Sequence, residues 1–209
     1  MNKTFLEILN RGYRTYYKKP RYIFYRGDIG NDFYIIEKGV VELSIFNLNG
    51  DKVILSELKE GDFFGQVEIF TNGVRPTNAY VSAGTQLVSF TAAVVKDFLN
   101  KNNEKAIEII ESLCGIIDSG VEKIEDALVL NAYQKVSKKV YELSMDGEVS
   151  NIFINQKKMS EFLALSERTT NISLQKLQEK GAISLKRSRI EIIDDKILKK
   201  QFLGRKEVA

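Results

Sequence analysis

Through the first hundred positions apolar residues alternate with polar ones in short runs, as in FYIIEKGVVELSIFNLNG and DKVILSELKEGDFFG. Alternation of period two predicts half-buried strands, and glycines at 27, 39, 50, 61 and 65 divide them at the spacing of tight turns. Asn49-Gly50, between two apolar runs, predicts a hairpin, since both residues tolerate positive φ. Many short strands turning tightly predict a closed or double-sheet roll over residues 1–103.

The period then changes. Ile107, Ile110, Cys114, Ile117, Val121, Ile124 and Leu128 follow at spacings of 3, 4, 3, 4, 3 and 4, an a/d seam on a long helix over 104–130. Ile109, Leu113 and Ile116 form a second row, placed to pack on the roll. Two apolar faces need two partners, so the helix is expected to lie on its own roll and on the same helix of a second copy. Burial of both faces within one chain is the alternative. Asn131 and Gln134 have the spacing of a capping pair that ends this helix and starts the next, a junction read as a hinge.

Residues 154–183, INQKKMSEFLALSERTTNISLQKLQEKGAI, predict a helix, a tight turn, a second helix ending at Gly181, and a strand. Met159, Phe162 and Leu163 give the first helix an inner face, Ala164 allows the turn, and Ser166 caps the second helix. Leu174 and Leu177 anchor that helix, leaving Glu167, Arg168, Asn171 and Gln175 outward, as a reader of the DNA major groove requires. AISLKRSRIEIID then reads as strand, basic tip and strand, a wing that lays Lys186, Arg187 and Arg189 along a phosphate backbone. Standing alone, the two helices would more readily describe a plain hairpin with a solvated charged face.

Charge sharpens this picture. Residues 131–209 hold 16 Lys and Arg against 10 Asp and Glu, whereas residues 104–130 hold 2 against 7. The last third is thus the part suited to a polyanion. The chain has no histidine and a single cysteine, Cys114. Zinc and non-haem iron enzymes, His-ligated haem, Ser–His–Asp hydrolases and Cys-ligated iron–sulfur clusters therefore lack their ligands or bases. No cofactor, no metal and no reaction are expected. No apolar run approaches the length of a membrane span and the N-terminus lacks a signal-peptide core, so the expected location is the cytoplasm.

A roll carrying KGVVELSIFNLNGDKVILSELKEGDFFGQVEIF, a long dimer helix and I-x-x-x-x-M-x-x-F-L-A-x-S-x-x-T resemble the CRP/FNR family of bacterial transcription regulators over nearly the whole chain. The resemblance implies an α+β fold: a double-stranded β-helix or jelly-roll sensor domain (1–103), a dimerisation helix (104–130) and a winged helix-turn-helix domain (131–209). It implies a homodimer on a palindromic operator of double-stranded DNA, with RNA polymerase as partner. Gln156 and Ile172 join the DNA-binding set, and Ser166 and Thr169 match positions that touch phosphate. Thr170 and Ser173 stand where the family is usually apolar, which suggests a shifted helix phase.

The effector cassette departs from the cyclic-AMP-binding pattern. GQVEIFTNGVRPTNA has Gln66 in place of the ribose-binding acid, and a loop one residue longer puts Thr77 where the phosphate-binding arginine would stand. Gly120 and Val121 replace two adenine-binding hydroxyls. Gly65, Gln66, Val67, Arg75, Thr77, Asn78, Gly120 and Val121 are the candidate effector residues, Arg75 either reaching a phosphate or standing as a solvated loop arginine. The effector is then something other than cyclic AMP, or there is none. The alternative function is a roll acting as a protein-interaction module, with a weak or redundant DNA-binding domain.

Overall fold

The computed structural model describes residues 8–145, 151–152, 155–186 and 189–203, with backbone alone at 151 and 152. The chain divides into two compact units, Met1–Ile117 and Asp118–Ala209, and a single long helix runs through the division. No described helix is long and apolar enough to cross a membrane.

In the first unit, β1 (Tyr13–Tyr17), β3 (Asp32–Lys38), β6 (Phe63–Phe64) and β8 (Thr85–Thr91) form one antiparallel sheet in the order β1-β8-β3-β6. A second is built from β2 (Arg21–Phe24), β4 (Val41–Phe46), β5 (Lys52–Leu58) and β7 (Asn78–Val81) in the order β2-β7-β4-β5. This is the double-sheet roll that the alternation predicts. Strand β3 is buried on both sides: Ile36 joins Phe24, Val41, Phe64, Ala79, Val81 and Leu87 in one core, while Phe33 and Ile35 join Val88 and Phe90 in another. The second core is closed by α2 (Ala92–Lys101) through Val95, Phe98 and Leu99, and by Ile109 of α3 (Asn103–Val129). A short helix, α1 (Gln66–Thr71), contributes Ile69 to the same core.

The Asn49-Gly50 signal marks the β4–β5 hairpin, but its connection differs from the expected one. The loop spans 47–51, Gly50 alone takes positive φ, at 84°, and the Asn47 side chain accepts bonds from the backbone N–H groups of Asn49 and Asp51, both at 2.9 Å. Asn47, not Asn49, organises the turn.

The second unit holds the C-terminal part of α3 with α4 (Ala132–Met145), α5 (Gln156–Leu163), α6 (Glu167–Glu179) and α7 (Asp195–Phe202). Its sheet runs β10-β11-β9, from β9 (Asn151–Ile152), β10 (Ile183–Lys186) and β11 (Arg189–Ile192). Val136, Val140, Met159, Leu174, Leu177, Ile183, Ile190 and Leu198 form its core. Neither β9 nor α7 was signalled by the sequence pattern. Helix α7 begins at Asp194, whose carboxylate accepts from the N–H groups of Lys196 and Ile197, and is held by buried Leu198.

Candidate nucleic-acid interface and effector region

Helix α5 starts at Asn155, whose side chain accepts from Lys158 N–H at 2.7 Å. Its inner face is Met159 with Ser160 and part-buried Leu163. Phe162 does not join that core as expected; it lies half-buried at the surface, with the ammonium groups of Lys139 and Lys158 5.2 and 5.9 Å from its ring centre. The turn is made by Ala164 in the left-handed region, φ 52°, an uncommon conformation for a residue with a Cβ. Ser166 then caps α6, accepting from Thr169 N–H at 3.1 Å, while the two hydroxyls lie 2.8 Å apart.

Glu167, Arg168, Ile172 and Gln175 are exposed on α6. Arg168, two residues past the cap, has no hydrogen-bond or ion-pair partner among the described residues, leaving its whole guanidinium fork for a ligand. Asn171 departs from the outward set: it is half-buried, with its Oδ1 enclosed and unpartnered. Thr170 and Ser173 are buried beside Leu174 and Leu177, so the helix keeps the phase of an apolar-faced one and the expected shift is absent. Ser173 meets the polar cost of that burial by donating to the Thr169 carbonyl at 2.9 Å, whereas the Thr170 hydroxyl has no partner.

Lys186 and Arg189 face each other across the wing hairpin, and Arg187 lies outside the described residues. Both described cations are already engaged. Glu191 pairs with Lys186 at 3.8 Å and, more closely, with Arg189. One carboxylate thus offsets part of the charge that the wing would lay along a phosphate backbone. Glu191 was legible in principle, since it stands two residues from Arg189 and so shares its face of the strand. Gln156, Lys157, Glu167, Lys186 and Arg189 line one cavity of about 380 Å³, which brings the start of α5, the start of α6 and the wing together.

The α3–α4 junction read as a hinge carries several braces. Asn131 and Gln134 cap reciprocally, each backbone N–H bonded to the other's side chain at 3.0 and 3.1 Å. The Lys138 ammonium donates to Glu122 at 2.8 Å and to Asp126 at 2.7 Å, bridging α4 back to α3. Burial works against its charge, but the bonds it donates to Asp126 and Glu122 hold the ammonium above the ordinary lysine range. Along α3 the a/d row is open: Ile107, Ile110, Ile117, Val121, Ile124 and Leu128 are all exposed, as is Cys114. Ile109 and Leu113 of the second row pack on the roll, while Ile116, expected to do so, is exposed.

In the roll, Gly65 takes φ 86° at the start of α1, and Gln66, Arg75 and Asn78 are buried while Thr77 is half-buried and Val67 exposed. Asn78 is committed to the fold, accepting from Arg26 N–H at 2.9 Å and donating to the Ser44 carbonyl at 3.0 Å. Arg75 is no solvated loop arginine. It is 2% exposed, it donates to the Asp32 carbonyl at 2.9 Å, and its guanidinium carbon lies 4.1 Å from the centre of the Phe24 ring and 5.6 Å from that of Tyr34. Burial, with Asp32 nearby, pushes the Tyr34 hydroxyl up to about 12, so that ring stays neutral. Glu68, absent from the candidate set, lies 3.3 Å from Arg75 as its ion-pair partner. Gly120 and Val121 lie on α3 in the second unit, and neither offers a polar side chain.

Residues 14–102 match the cyclic nucleotide-binding domain and residues 132–201 the Crp-like helix-turn-helix domain. The cyclic AMP receptor protein of Thermus thermophilus is 23% identical over 195 residues, covering 91% of this chain and 88% of that protein. The c-di-GMP-responsive global regulator CLP of Xanthomonas campestris superposes with a TM-score of 0.79 at 15% identity, over 90% of this chain and 97% of that one. A CooA mutant from Carboxydothermus hydrogenoformans gives 0.81 at 12% identity, over 94% and 90%. At such identities these two likenesses speak for the fold alone.

Proposed function

The chain belongs to the CRP/FNR family of transcription regulators, and from that premise we propose that it binds DNA sequence-specifically as a homodimer on a palindromic operator. The observation that carries the reading is Arg168, exposed and unengaged on the first turn of a capped helix, beside a wing that bears Lys186 and Arg189. Residues at that end of a recognition helix enter the major groove deepest, and arginine there takes guanine O6 and N7 through two parallel bonds. The second copy is supplied along the exposed a/d row of α3, where apolar side chains at heptad spacing otherwise stand in water. Two such helices related by a dimer axis read half-sites about 34 Å apart.

The effector is something other than cyclic AMP, or there is none. Gln66 offers ribose hydroxyls a neutral acceptor in place of a charged one, Asn78 is held by backbone groups, and Arg75 already faces an anion of its own chain. The protein works in the cytoplasm with RNA polymerase as partner and catalyses no reaction. Operator selection with the purified, ligand-free chain, followed by gel shifts across a salt series, tests this. Enrichment of a two-fold-symmetric site with salt-dependent affinity is expected. Uniform binding to all sequences would instead favour a roll serving as a protein-interaction module.

A further inference from the structure

Arg75 and Glu68 are enclosed in the first unit, with side chains 2% and 4% exposed. Their contact, Nη1 to Oε2 at 3.3 Å, joins two charges without satisfying the guanidinium: neither Nε nor Nη1 makes a hydrogen bond. Only Nη2 is bonded, to the Asp32 carbonyl. Two glycines abut the guanidinium. A Cβ on Gly30 would come within 2.9 Å of Nε and 2.8 Å of the Glu68 Cβ, and one on Gly65 within 2.9 Å of Nη1. Side chains are thus kept away from the guanidinium on two sides, and the Glu68 carboxylate is the anion that faces it, at Nη1. Glu68 is held in place at its backbone, because the next residue, Ile69, is 1% exposed in the core.

We propose that Glu68 is a tethered counter-anion, holding in cis the place where Arg75 would otherwise take an external oxyanion, so that the roll closes with no anionic ligand bound. A buried guanidinium without a counter-charge is strongly destabilised. Glu68 removes that penalty from within the chain, and an incoming phosphate would have to displace its carboxylate. The inference deepens the effector reading above, and its test uses no DNA, so its failure leaves the operator reading standing.

Thermal unfolding of the full chain is followed in sodium acetate, in inorganic phosphate and in sodium chloride of matched ionic strength. Glu68→Ala deletes a group close to acetate in size and charge. Its midpoint is expected to rise saturably, by several degrees beyond the chloride control, in acetate or phosphate. Wild type and Glu68→Ala/Arg75→Met should not respond. A wild type that responds as the variant does overturns the proposal, as does a folded Glu68→Ala indifferent to both anions. Should Glu68→Ala fold in none of these buffers, Glu68→Gln decides: mutual neutralisation makes Glu68→Gln/Arg75→Met at least as stable as Glu68→Gln alone, and additive losses refute it.

Discussion

On the proposed reading Arg168 and Glu191 act on DNA in opposite ways, and single substitutions separate them. Arg168→Ala is expected to cost about 1 to 3 kcal/mol in operator binding and to flatten preference at one base pair per half-site. Selection with the variant checks this; uniform weakening with base preference intact would make Arg168 a phosphate contact. Glu191→Gln frees Lys186 and Arg189 from their shared partner. It should tighten binding to all sequences alike and steepen the dependence on salt by about one phosphate contact, read from affinities between low and moderate salt. Spacing alone made Arg168 legible, because the Ser166 cap and the two buried leucines fix which way the first turn faces. Spacing did not reveal that Thr170 and Ser173 are buried, since their polarity argues for the surface and only tertiary packing overrides it. Nor could it reveal the Glu68–Arg75 contact, which joins a helix to a loop seven positions away through a closure neither segment encodes.

Helix α3 offers the clearest element-scale tests. Ile117→Glu would bury a carboxylate in the proposed seam at a desolvation cost of several kcal/mol, so sedimentation should find monomer or unfolded chain where wild type is dimeric. A wild type that sediments as monomer at micromolar concentration would remove the seam. Cys114 supplies an independent check, because identical seam positions face each other in a parallel pair and a disulfide requires Cα atoms about 4.4 to 6.8 Å apart. Mild oxidation should therefore yield a cross-linked dimer that Cys114→Ser abolishes, whereas an antiparallel arrangement yields none. Lys138 governs the corner with α4. Its hydrogen bond holds the Glu122 carboxyl below the usual carboxylate range, so the brace contributes above that range and is lost as pH falls through the lowered value. At the alkaline end it is lost as pH rises through the raised lysine value. Lys138→Met leaves Glu122, Asp126 and Glu142 with oxygens within 4.8 Å of one another, and its thermal midpoint should fall below wild type at pH 7. The gap should close below about pH 4, where carboxylates take up protons. Periodicity foretold the helix and its outer row, but not that Ile116 stays exposed, since a helix drifts off the roll it first packs upon.

At the scale of the whole chain, period two followed by period three and a half gave away a roll, a long helix and a basic helical domain in that order. Strand β9 and helix α7 escaped because two residues carry no periodicity and because α7 follows the wing with a single fully buried anchor, Leu198. Cyclic AMP is expected to bind in the millimolar range or more weakly, since each missing hydrogen bond removes roughly 0.5 to 3 kcal/mol. Calorimetry giving a dissociation constant below about ten micromolar would contradict this. The proposed pairing, through a row of side chains that each separate chain holds in water, makes assembly a second-order process. While dimers are scarce, operator occupancy then rises with the square of the chain's abundance, so a twofold change in synthesis gives about a fourfold change in bound sites by mass action. Where there is no effector to announce a condition, the second of the two effector readings, such a protein reports its own copy number.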